Sequence, residues 1–223
     1  DMVDSVIQTL TEDLQDSSGE EFEISLGVAP TVWRVLEFKN VRYVYPDGNQ
    51  LRFDLEILGG RVNVIVGQSG AGKSTLLDLL VGCSHPSSGG IIIDGEEVER
   101  FDGAWRSSCG FVSQNPSLNI VSEYLIGKGC RDDFDSNLFQ SNLEVLDLRY
   151  TAACVAARLV DAHHPTFSTG ETRRIALAFA YSFRNVKLML LDEVTSGLSI
   201  ETRKVVRNFI LARHMTCVLV SHL

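Results

Sequence analysis

The chain has 223 residues, 44% of them hydrophobic, so it can bury one large core or two modest lobes. Its formal net charge of -9 excludes the broad basic surface that neutralises a nucleic-acid backbone, and no nucleic acid is expected as a partner. The five cysteines have no Cys-x-x-Cys pair and no Cys/His ligand spacing, which argues against a zinc site or a disulfide framework and predicts reduced, mostly buried thiols.

The first 34 residues differ in composition from the rest of the chain. The stretch from Glu12 to Glu23 is acidic and contains Ser and Gly, which is typical of a linker or a frayed terminus rather than of a core element. We therefore predict that residues 1–34 form an acidic linker or N-terminal extension without catalytic residues.

The segment that follows Val35 has the pattern of half-buried strands. Apolar and polar residues alternate at Leu36–Lys39, Val41–Tyr45 and Leu51–Ile57, and Pro46–Asn49 is typical of a turn. These segments together predict an antiparallel β subdomain.

A different arrangement begins at Arg61. Arg61–Val66 is a nearly continuous apolar strand, and a glycine-rich turn and a helical pattern over Lys73–Val81 follow it. This order of strand, loop and helix is typical of a parallel α/β core. Further strands are predicted at Ile91–Gly95 and Cys109–Val112.

The strand signal disappears between about Pro116 and Ala180, where helical periodicity such as that of Val155–Val160 replaces it. This change predicts an inserted helical lobe over residues 116–180. Two strands and an amphipathic helix are predicted after the lobe, at Lys187–Leu191, Thr216–Val220 and Glu201–Arg213.

The strongest local signal is the glycine-rich loop after the strand at Arg61–Val66. The loop satisfies the pattern G-x-x-x-x-G-K-[ST], in which backbone N–H groups and a helix N-terminus cradle phosphates. Lys73 is expected to reach the β and γ phosphates of ATP, and the Ser74 hydroxyl is expected to bind Mg²⁺. The candidate nucleotide-binding residues of the loop are Gly67, Ser69, Gly70, Ala71, Gly72, Lys73, Ser74 and Thr75.

An acidic pair follows the predicted buried strand that ends at Leu191. Asp192 is the candidate second ligand of Mg²⁺, and Glu193 is the candidate catalytic residue that polarises the attacking water. The glycine-rich loop and the acidic pair, together with the strand and helix patterns above, predict an α/β fold. This fold is a P-loop NTPase with a RecA-like core, an antiparallel β subdomain and an inserted α-helical subdomain. The β subdomain and core are assigned to residues 35–115 and 181–223.

Over residues 35–223 the order of the remaining motifs resembles the ABC ATPase family. Phe111–Pro116 is similar to the family's Q-loop, which implies that Gln114 is a catalytic residue that contacts Mg²⁺ and the attacking water. Phe167–Arg174 and the following helix resemble the signature L-S-G-G-Q. The resemblance implies a head-to-tail dimer. In it, Ser168, Thr169 and Gly170 bind the γ-phosphate of the nucleotide that the opposite domain holds.

Two shorter motifs and one aromatic residue extend the resemblance. Ser196–Ser199 is similar to the D-loop, and Ser221 with His222 resembles the segment of the switch histidine. The resemblance implies that His222 is a catalytic residue that contacts the γ-phosphate and the catalytic glutamate. Tyr45 lies where the family places a ring that stacks on adenine, although a buried strand tyrosine is the alternative interpretation.

Four positions depart from the family pattern. Thr169 replaces Gly and Glu171 replaces Gln in the signature, Val194 stands where Pro is usual, and Ser199 stands where the D-loop has Asp. None of them lies on the phosphate loop, so nucleotide binding is expected to survive. Glu171 adds negative charge near the opposite γ-phosphate, which is expected to weaken dimer closure, and Ser199 in place of Asp removes a polar contact across the dimer interface.

The resemblance implies an ATPase that powers transport of an unknown substrate across a membrane by ATP-driven dimerisation. The implied partners are a second ABC ATPase domain and transmembrane transporter subunits or a transmembrane domain, with the chain at the cytoplasmic face of the membrane. None of its apolar runs approaches the roughly 20 residues that span a bilayer, so the chain itself is not expected to cross a membrane.

Features of importers and of exporters occur side by side, which leaves the direction of transport open at this point. The approach through residues 1–34 resembles an exporter linker, whereas the short segment from Leu51 to Gly60 resembles an importer subunit. Two alternatives to transport are a non-transport ABC ATPase of the ribosome-associated or chromosome and repair type, and a degenerate regulatory nucleotide-binding domain.

Overall fold

The computed structural model describes residues 7–9, 33–125, 127, 129, 131–160 and 167–222. The acidic stretch from Glu12 to Glu23 and Cys130 lie outside the described residues. The chain divides into two compact units. The first contains the described residues up to Cys109 with 187–192 and 214–222, and the second contains those within 110–186 and 193–213.

The strands of the described residues are, in chain order, β1 (Ile7–Thr9), β2 (Val35–Val44), β3 (Gln50–Leu58), β4 (Val62–Val66), β5 (Ser88–Ile93), β6 (Glu96–Glu97), β7 (Cys109–Val112), β8 (Leu188–Asp192) and β9 (Thr216–Ser221). The helices are α1 (Lys73–Val81), α2 (Gly103–Ser108), α3 (Asn119–Leu125), α4 (Ser136–Val145), α5 (Ala152–Val160), α6 (Thr169–Ala180) and α7 (Ile200–Leu211). The strand at Cys109–Val112 and the helix at Lys73–Val81 have the predicted bounds.

An antiparallel sheet in the first unit has the strand order β3-β2-β5-β6. β2 is one strand where the sequence predicted two runs, because a register shift between Phe38 and Val41 interrupts the alternation. Asn40 has a φ of 49° at this bulge. Gly89 of β5 lies against it, where a Cβ would stand 2.2 Å from the Asn40 carbonyl oxygen, so only glycine allows the close approach of the two strands.

A second sheet in the first unit contains parallel strands. β4 pairs in parallel with β9, and β9 pairs in parallel with β8. Val220 lies between Ile65 and Asp192, so the carboxyl ends of all three strands meet at one edge of the sheet. β1 pairs antiparallel with β4, and the sequence prediction missed it because three residues are too few for a periodic signal.

One hydrophobic core serves both sheets of the first unit. Apolar side chains of β2 and β3, among them Leu36, Phe38 and Ile57, belong to the same buried cluster as the leucines of α1 and as β8 and β9. Asn63 is also buried, and both polar atoms of its side-chain amide are hydrogen-bonded to the backbone. Oδ1 accepts from Leu58 N at 2.9 Å, and Nδ2 donates to the Cys217 carbonyl at 3.2 Å. Since a buried amide is tolerated only when it is paired, Asn63 fixes the end of β3 against β4 and β9.

The second unit is mainly helical. α3 packs on α5, and α4 packs on α5 and α6. An aromatic cluster with ring centroids 5.0 to 6.4 Å apart fills this unit, formed by Tyr124, Phe134, Phe139, Phe179 and Phe183. Asn142 of α4 is fully buried and donates to the Ala178 carbonyl of α6 at 3.0 Å, which adds a directional bond to the apolar packing.

The exposure of the described cysteines contradicts one prediction. Cys217 is buried, but Cys83 and Cys154 are exposed and Cys109 is half-buried, so the expectation of mostly buried thiols is wrong for the four that are described. Among the described residues, Cys83, Cys109 and Cys154 form no disulfide bond. No helix in the described ranges combines the length and the apolar composition that crossing a membrane requires.

Candidate nucleotide-binding site

The glycine-rich loop joins β4 to α1 within the first unit. Gly70 has a φ of 81° and Gly72 a φ of 86°, in the left-handed region that favours glycine. Ala71 N donates to the Gln68 carbonyl at 3.2 Å, and Leu76 N donates to the Gly72 carbonyl at 2.9 Å, where the helical hydrogen bonds begin. The loop therefore ends at the N-terminus of α1, whose first N–H groups have no helical acceptor and suit an anion.

Gly72 is favoured by its φ, and a side chain at this position would also force Leu51 to move. A Cβ at this position would stand 2.3 Å from Leu51 Cδ1 of β3. We expect Gly72→Ala to lower the free energy of unfolding by about 1–3 kcal/mol, because it combines a strained φ with a steric clash. Gly48→Ala is the matched control, since its φ is 89° but no atom lies within 4 Å of the added Cβ.

Urea unfolding of the two variants measures the contribution of this contact. The larger loss is expected for Gly72→Ala. Equal losses at Gly72 and Gly48 would mean that the contact with Leu51 carries no free energy.

Lys73 is buried, with 9% of its surface exposed. Its Nζ donates to the Gly67 carbonyl at 2.7 Å and to the Gln68 carbonyl at 2.8 Å, and it lies 3.4 Å from His222 Nδ1. The ammonium is thus held inside the curve of the loop. A fixed positive charge among inward-facing backbone groups is suited to the β and γ phosphates of a nucleotide.

The edge at which the three parallel strands end gathers several predicted residues. Val66 at the end of β4 leads into the loop and pairs with Ser221, and Gly67 N donates to the Ser221 carbonyl at 3.3 Å. His222 follows β9 directly and is exposed, and Asp192 is the half-buried last residue of β8. The first unit therefore brings the loop, His222 and Asp192 to one sheet edge.

Tyr45 follows β2, and its hydroxyl is hydrogen-bonded to Thr75 Oγ1. Its ring contacts Tyr43 edge-on, with centroids 5.0 Å apart, and remains half-buried. These contacts hold the ring beside α1. Adenine stacking by Tyr45 stays a prediction.

The oxygen donors of the first unit fit a magnesium ion. Ser74 is exposed in the first turn of α1, and Asp192 offers a carboxylate at the sheet edge. Within the described ranges no group of three or more His, Cys, Asp and Glu side chains could enclose a metal ion. Mg²⁺ does not need such a cage, because it retains water ligands and is completed by phosphate oxygens.

Glu193 and Gln114 are brought together in the second unit. Gln114 Nε2 donates to Glu193 Oε2 at 2.8 Å. Glu193 is 6% exposed and has a φ of 50°, a conformation that side-chain-bearing residues adopt rarely and that recurs at functional sites. The pair supports the predicted roles of both residues in positioning a water molecule.

The signature-like segment forms the start of α6. Ser168 is the N-cap, its Oγ accepts from Glu171 N at 3.3 Å, and the Glu171 carboxylate accepts from Ser168 N at 2.8 Å. Thr169 begins the helix and is exposed, and Gly170 follows it half-buried. This reciprocal capping box leaves a well-ordered helix N-terminus with small residues around it.

Glu171 is held by more than its own helix. Tyr150 Oη donates to Glu171 Oε1 at 2.6 Å. The Arg158 guanidinium lies 4.8 Å from the centre of the Tyr150 ring and 4.5 Å from that of Phe167. The Glu171 carboxylate is therefore held by Tyr150 as well as by Ser168, and its effect on a phosphate at this helix N-terminus stays a prediction.

These contacts predict a pH dependence. The hydrogen bond from Tyr150, followed by those from Ser168, holds the pKa of Glu171 below its usual value of 4.5. A depressed pKa stabilises the fold above the unfolded-state pKa, and this stability is lost as the pH falls through the folded-state pKa. We expect Glu171→Gln to destabilise the protein at neutral pH, and the difference from wild type to disappear as the pH falls below 4.5. Urea unfolding over this pH range measures it.

Tyr150→Phe provides the matched test, because it removes the principal hydrogen bond and keeps the ring. In the Tyr150→Phe background, the destabilisation caused by Glu171→Gln is expected to depend less on pH than it does in the wild-type background. A difference that does not vary with pH would contradict the assignment of the shift to Tyr150 and Ser168.

Sequence analysis missed Arg173, which the second unit places beside two predicted motifs. Its side chain is 6% exposed, its Nε donates to the Gln114 carbonyl at 3.0 Å, and its Nη1 donates to the Ser196 carbonyl. One sequence signal of its burial was present, because Arg173 lies only two positions before the apolar run of α6 that begins at Ile175. A buried arginine in such a position must be paired.

Comparison with known proteins gives consistent matches. A family model described as ABC transporter matches residues 51–196. The mouse (Mus musculus) protein ATP-binding cassette sub-family B member 10, mitochondrial, is 31% identical over 203 residues, which cover 84% of this chain and 28% of that protein. The ABC multidrug transporter MDR2 of Trichophyton rubrum is 32% identical over 224 residues, covering 95% of this chain and 16% of the transporter.

Two solved structures are similar in fold. A bacterial Atm1-family ABC exporter with ATP bound has a TM-score of 0.67 and 25% identity, with 90% of this chain and 36% of that chain covered. cbiO1 from Clostridium perfringens, part of the ABC transporter complex cbiONQ, has a TM-score of 0.65 and 24% identity, with 86% and 79% covered. The predicted fold class, an α/β P-loop NTPase core, is confirmed.

Proposed function

Because the chain belongs to the ABC transporter family, we propose that it is the ATP-hydrolysing motor of a membrane exporter. The predicted family is confirmed by the family model and the relatives, and membership of this family supports the predicted ATPase activity. The chain spans 28% and 16% of the length of the two relatives described above. Multidrug transporters and an exporter among the similar proteins support export as the direction of transport.

The observation that carries the proposal is the position of Lys73. Its ammonium is buried in the curve of the loop, next to the carboxyl ends of the strands that lead to Asp192 and His222. In this arrangement Lys73 and the loop N–H groups bind the β and γ phosphates of ATP and neutralise the charge that develops there. Tyr45, held by Thr75, stacks on the adenine ring.

In this proposal Ser74 and Asp192 would hold Mg²⁺, with Gln114 as a further ligand. The ion would supply positive charge that stabilises the phosphate oxygens. Glu193 accepts a proton from the attacking water, and the hydrogen bond from Gln114 keeps its carboxylate oriented. His222 contacts the γ-phosphate at the end of β9.

A second ABC ATPase domain completes the site. The N-terminus of α6, with Ser168, Thr169 and Gly170, binds the γ-phosphate held by the opposite domain of a head-to-tail dimer. The Glu171 carboxylate accepts hydrogen bonds from Ser168 N and Tyr150 Oη, so it stays ionised and adds a negative charge near this helix N-terminus. ATP-driven closure of the dimer then moves transmembrane subunits or a transmembrane domain, at the cytoplasmic face of the membrane.

Stimulation of ATP hydrolysis tests the transport proposal. The steady-state ATPase rate of the protein is measured alone, with its detergent-solubilised membrane partner, with ribosomes and with DNA. The proposal predicts stimulation by the membrane partner alone. Stimulation by ribosomes or DNA would contradict it, and single-turnover cleavage at the uncatalysed rate would contradict hydrolysis itself.

A further inference from the structure

Arg173 joins three segments of the second unit through its guanidinium group. It lies in the second turn of α6, after the N-cap Ser168. Its Nε donates to the backbone carbonyl of Gln114, and its Nη1 donates to the backbone carbonyl of Ser196. Both bonds are to main-chain oxygens, so Arg173 restrains the path of two loops rather than the rotamers of their side chains.

The two restrained loops both bear on Glu193. Gln114 donates through its side chain to Glu193 Oε2 at 2.8 Å, and Ser196 N donates to the Glu193 carbonyl at 3.0 Å. One bond fixes the carboxylate of Glu193 and the other fixes its backbone, which has the strained φ of 50°. Arg173 therefore holds the two loops whose hydrogen bonds fix Glu193.

We propose that Arg173 is a positioning residue that couples the signature-like N-terminus of α6 to Glu193 through the Gln114 and Ser196 loops. The inference rests on the proposed function, in which Ser168 contacts the nucleotide of the opposite domain and Glu193 acts on that of its own. Through the two bonds of its guanidinium, Arg173 holds the loops that orient the residue that receives the proton.

The chemistry of the side chain explains why arginine serves here. A planar guanidinium presents Nε–H and Nη1–H in a rigid fork, so two carbonyls held in different directions are bound at once. Lysine has one rotatable ammonium on a flexible stem and fixes the two loops less rigidly. The burial of Arg173 keeps water from replacing either bond.

The test compares Arg173→Gln and Arg173→Lys with wild type in the full chain. We expect kcat for ATP hydrolysis to fall by about 10- to 100-fold in Arg173→Gln, because small displacements of a catalytic group are costly. Arg173→Lys is expected to retain an intermediate rate. The dissociation constant for ATP is expected to change by less than about twofold, the scatter typical of such effects, because Lys73 and its loop are untouched.

Two controls separate positioning from stability. Arg207→Gln removes an exposed arginine of α7 and is expected to keep the wild-type rate. Arg173→Gln is also made with Gln114→Ala, which deletes the side chain that contacts Glu193 but keeps the carbonyl that Arg173 contacts. If Arg173 acts through the Gln114 loop, its fold-change in kcat is clearly smaller in that background.

The outcomes are distinguishable. A wild-type chain that does not hydrolyse ATP would refute the proposed function. An active wild type with an unchanged kcat in Arg173→Gln would overturn only the coupling role, as would losses in kcat that multiply with Gln114→Ala or an equal loss of ATP affinity. Circular dichroism and thermal unfolding verify that each compared variant is folded at the assay temperature.

Discussion

Glu193→Gln is expected to lower the rate of ATP hydrolysis by about 10²- to 10⁴-fold, the contribution of a positioned general base. The amide oxygen still accepts the hydrogen bond from Gln114 that the carboxylate accepts at 2.8 Å, so the buried position remains satisfied. The amide cannot take a proton from water, so ATP cleavage slows, whereas ATP binding is retained because Lys73 and its loop are unchanged. An ATP-bound dimer is expected to accumulate, because hydrolysis no longer opens it.

Size-exclusion chromatography with and without ATP detects the trapped dimer, and phosphate release gives the rate. Glu201→Gln is the control, since Glu201 is an exposed glutamate in the first turn of α7. Hydrolysis at the wild-type rate in Glu193→Gln would exclude Glu193 as the base. A monomer that persists with ATP would exclude the head-to-tail dimer for this chain.

Lys73→Met is expected to weaken ATP binding by about 10- to 100-fold, as the loss of charged hydrogen bonds of 1.5–3 kcal/mol implies. Methionine replaces most of the buried aliphatic stem but leaves the Gly67 and Gln68 carbonyls, now 2.7 and 2.8 Å from Nζ, without their donor. Competition against a fluorescent ATP analogue measures the affinity.

The matched control is Lys204→Met, which removes an exposed lysine of α7 and the same unit of charge. Equal affinities in Lys73→Met and wild type would mean that the ammonium held in the loop does not contact the phosphates. Equal losses of ATP affinity in both lysine variants would mean that the effect comes from the net charge of the chain and not from the position of Lys73.

The core elements were predictable because their sequence patterns are strong and local. The helix at Lys73–Val81 begins after Gly72 and ends before Gly82, both in the left-handed region, so its bounds follow from the glycines. The leucine-rich strand before Asp192 is buried throughout, which is why its apolar run was recognisable. These elements carry the loop and the acidic residue that identify the nucleotide site.

The contacts that organise the second unit could not be predicted in the same way. Arg173 binds two carbonyls that are 59 and 23 residues away in the sequence, and no local pattern encodes such partners. The bond from Tyr150 to Glu171 spans 21 residues and likewise depends on tertiary packing. β1 was missed for a different reason, because its pairing with β4 rather than its own three residues defines it.

Isothermal titration calorimetry of the wild-type chain with Mg-ATP tests the central claim, that the loop closed by Lys73 holds a triphosphate. The account predicts a binding heat that saturates at one nucleotide per chain and that weakens when Mg²⁺ is chelated. No heat on mixing at any ATP concentration, from a folded sample, would contradict it.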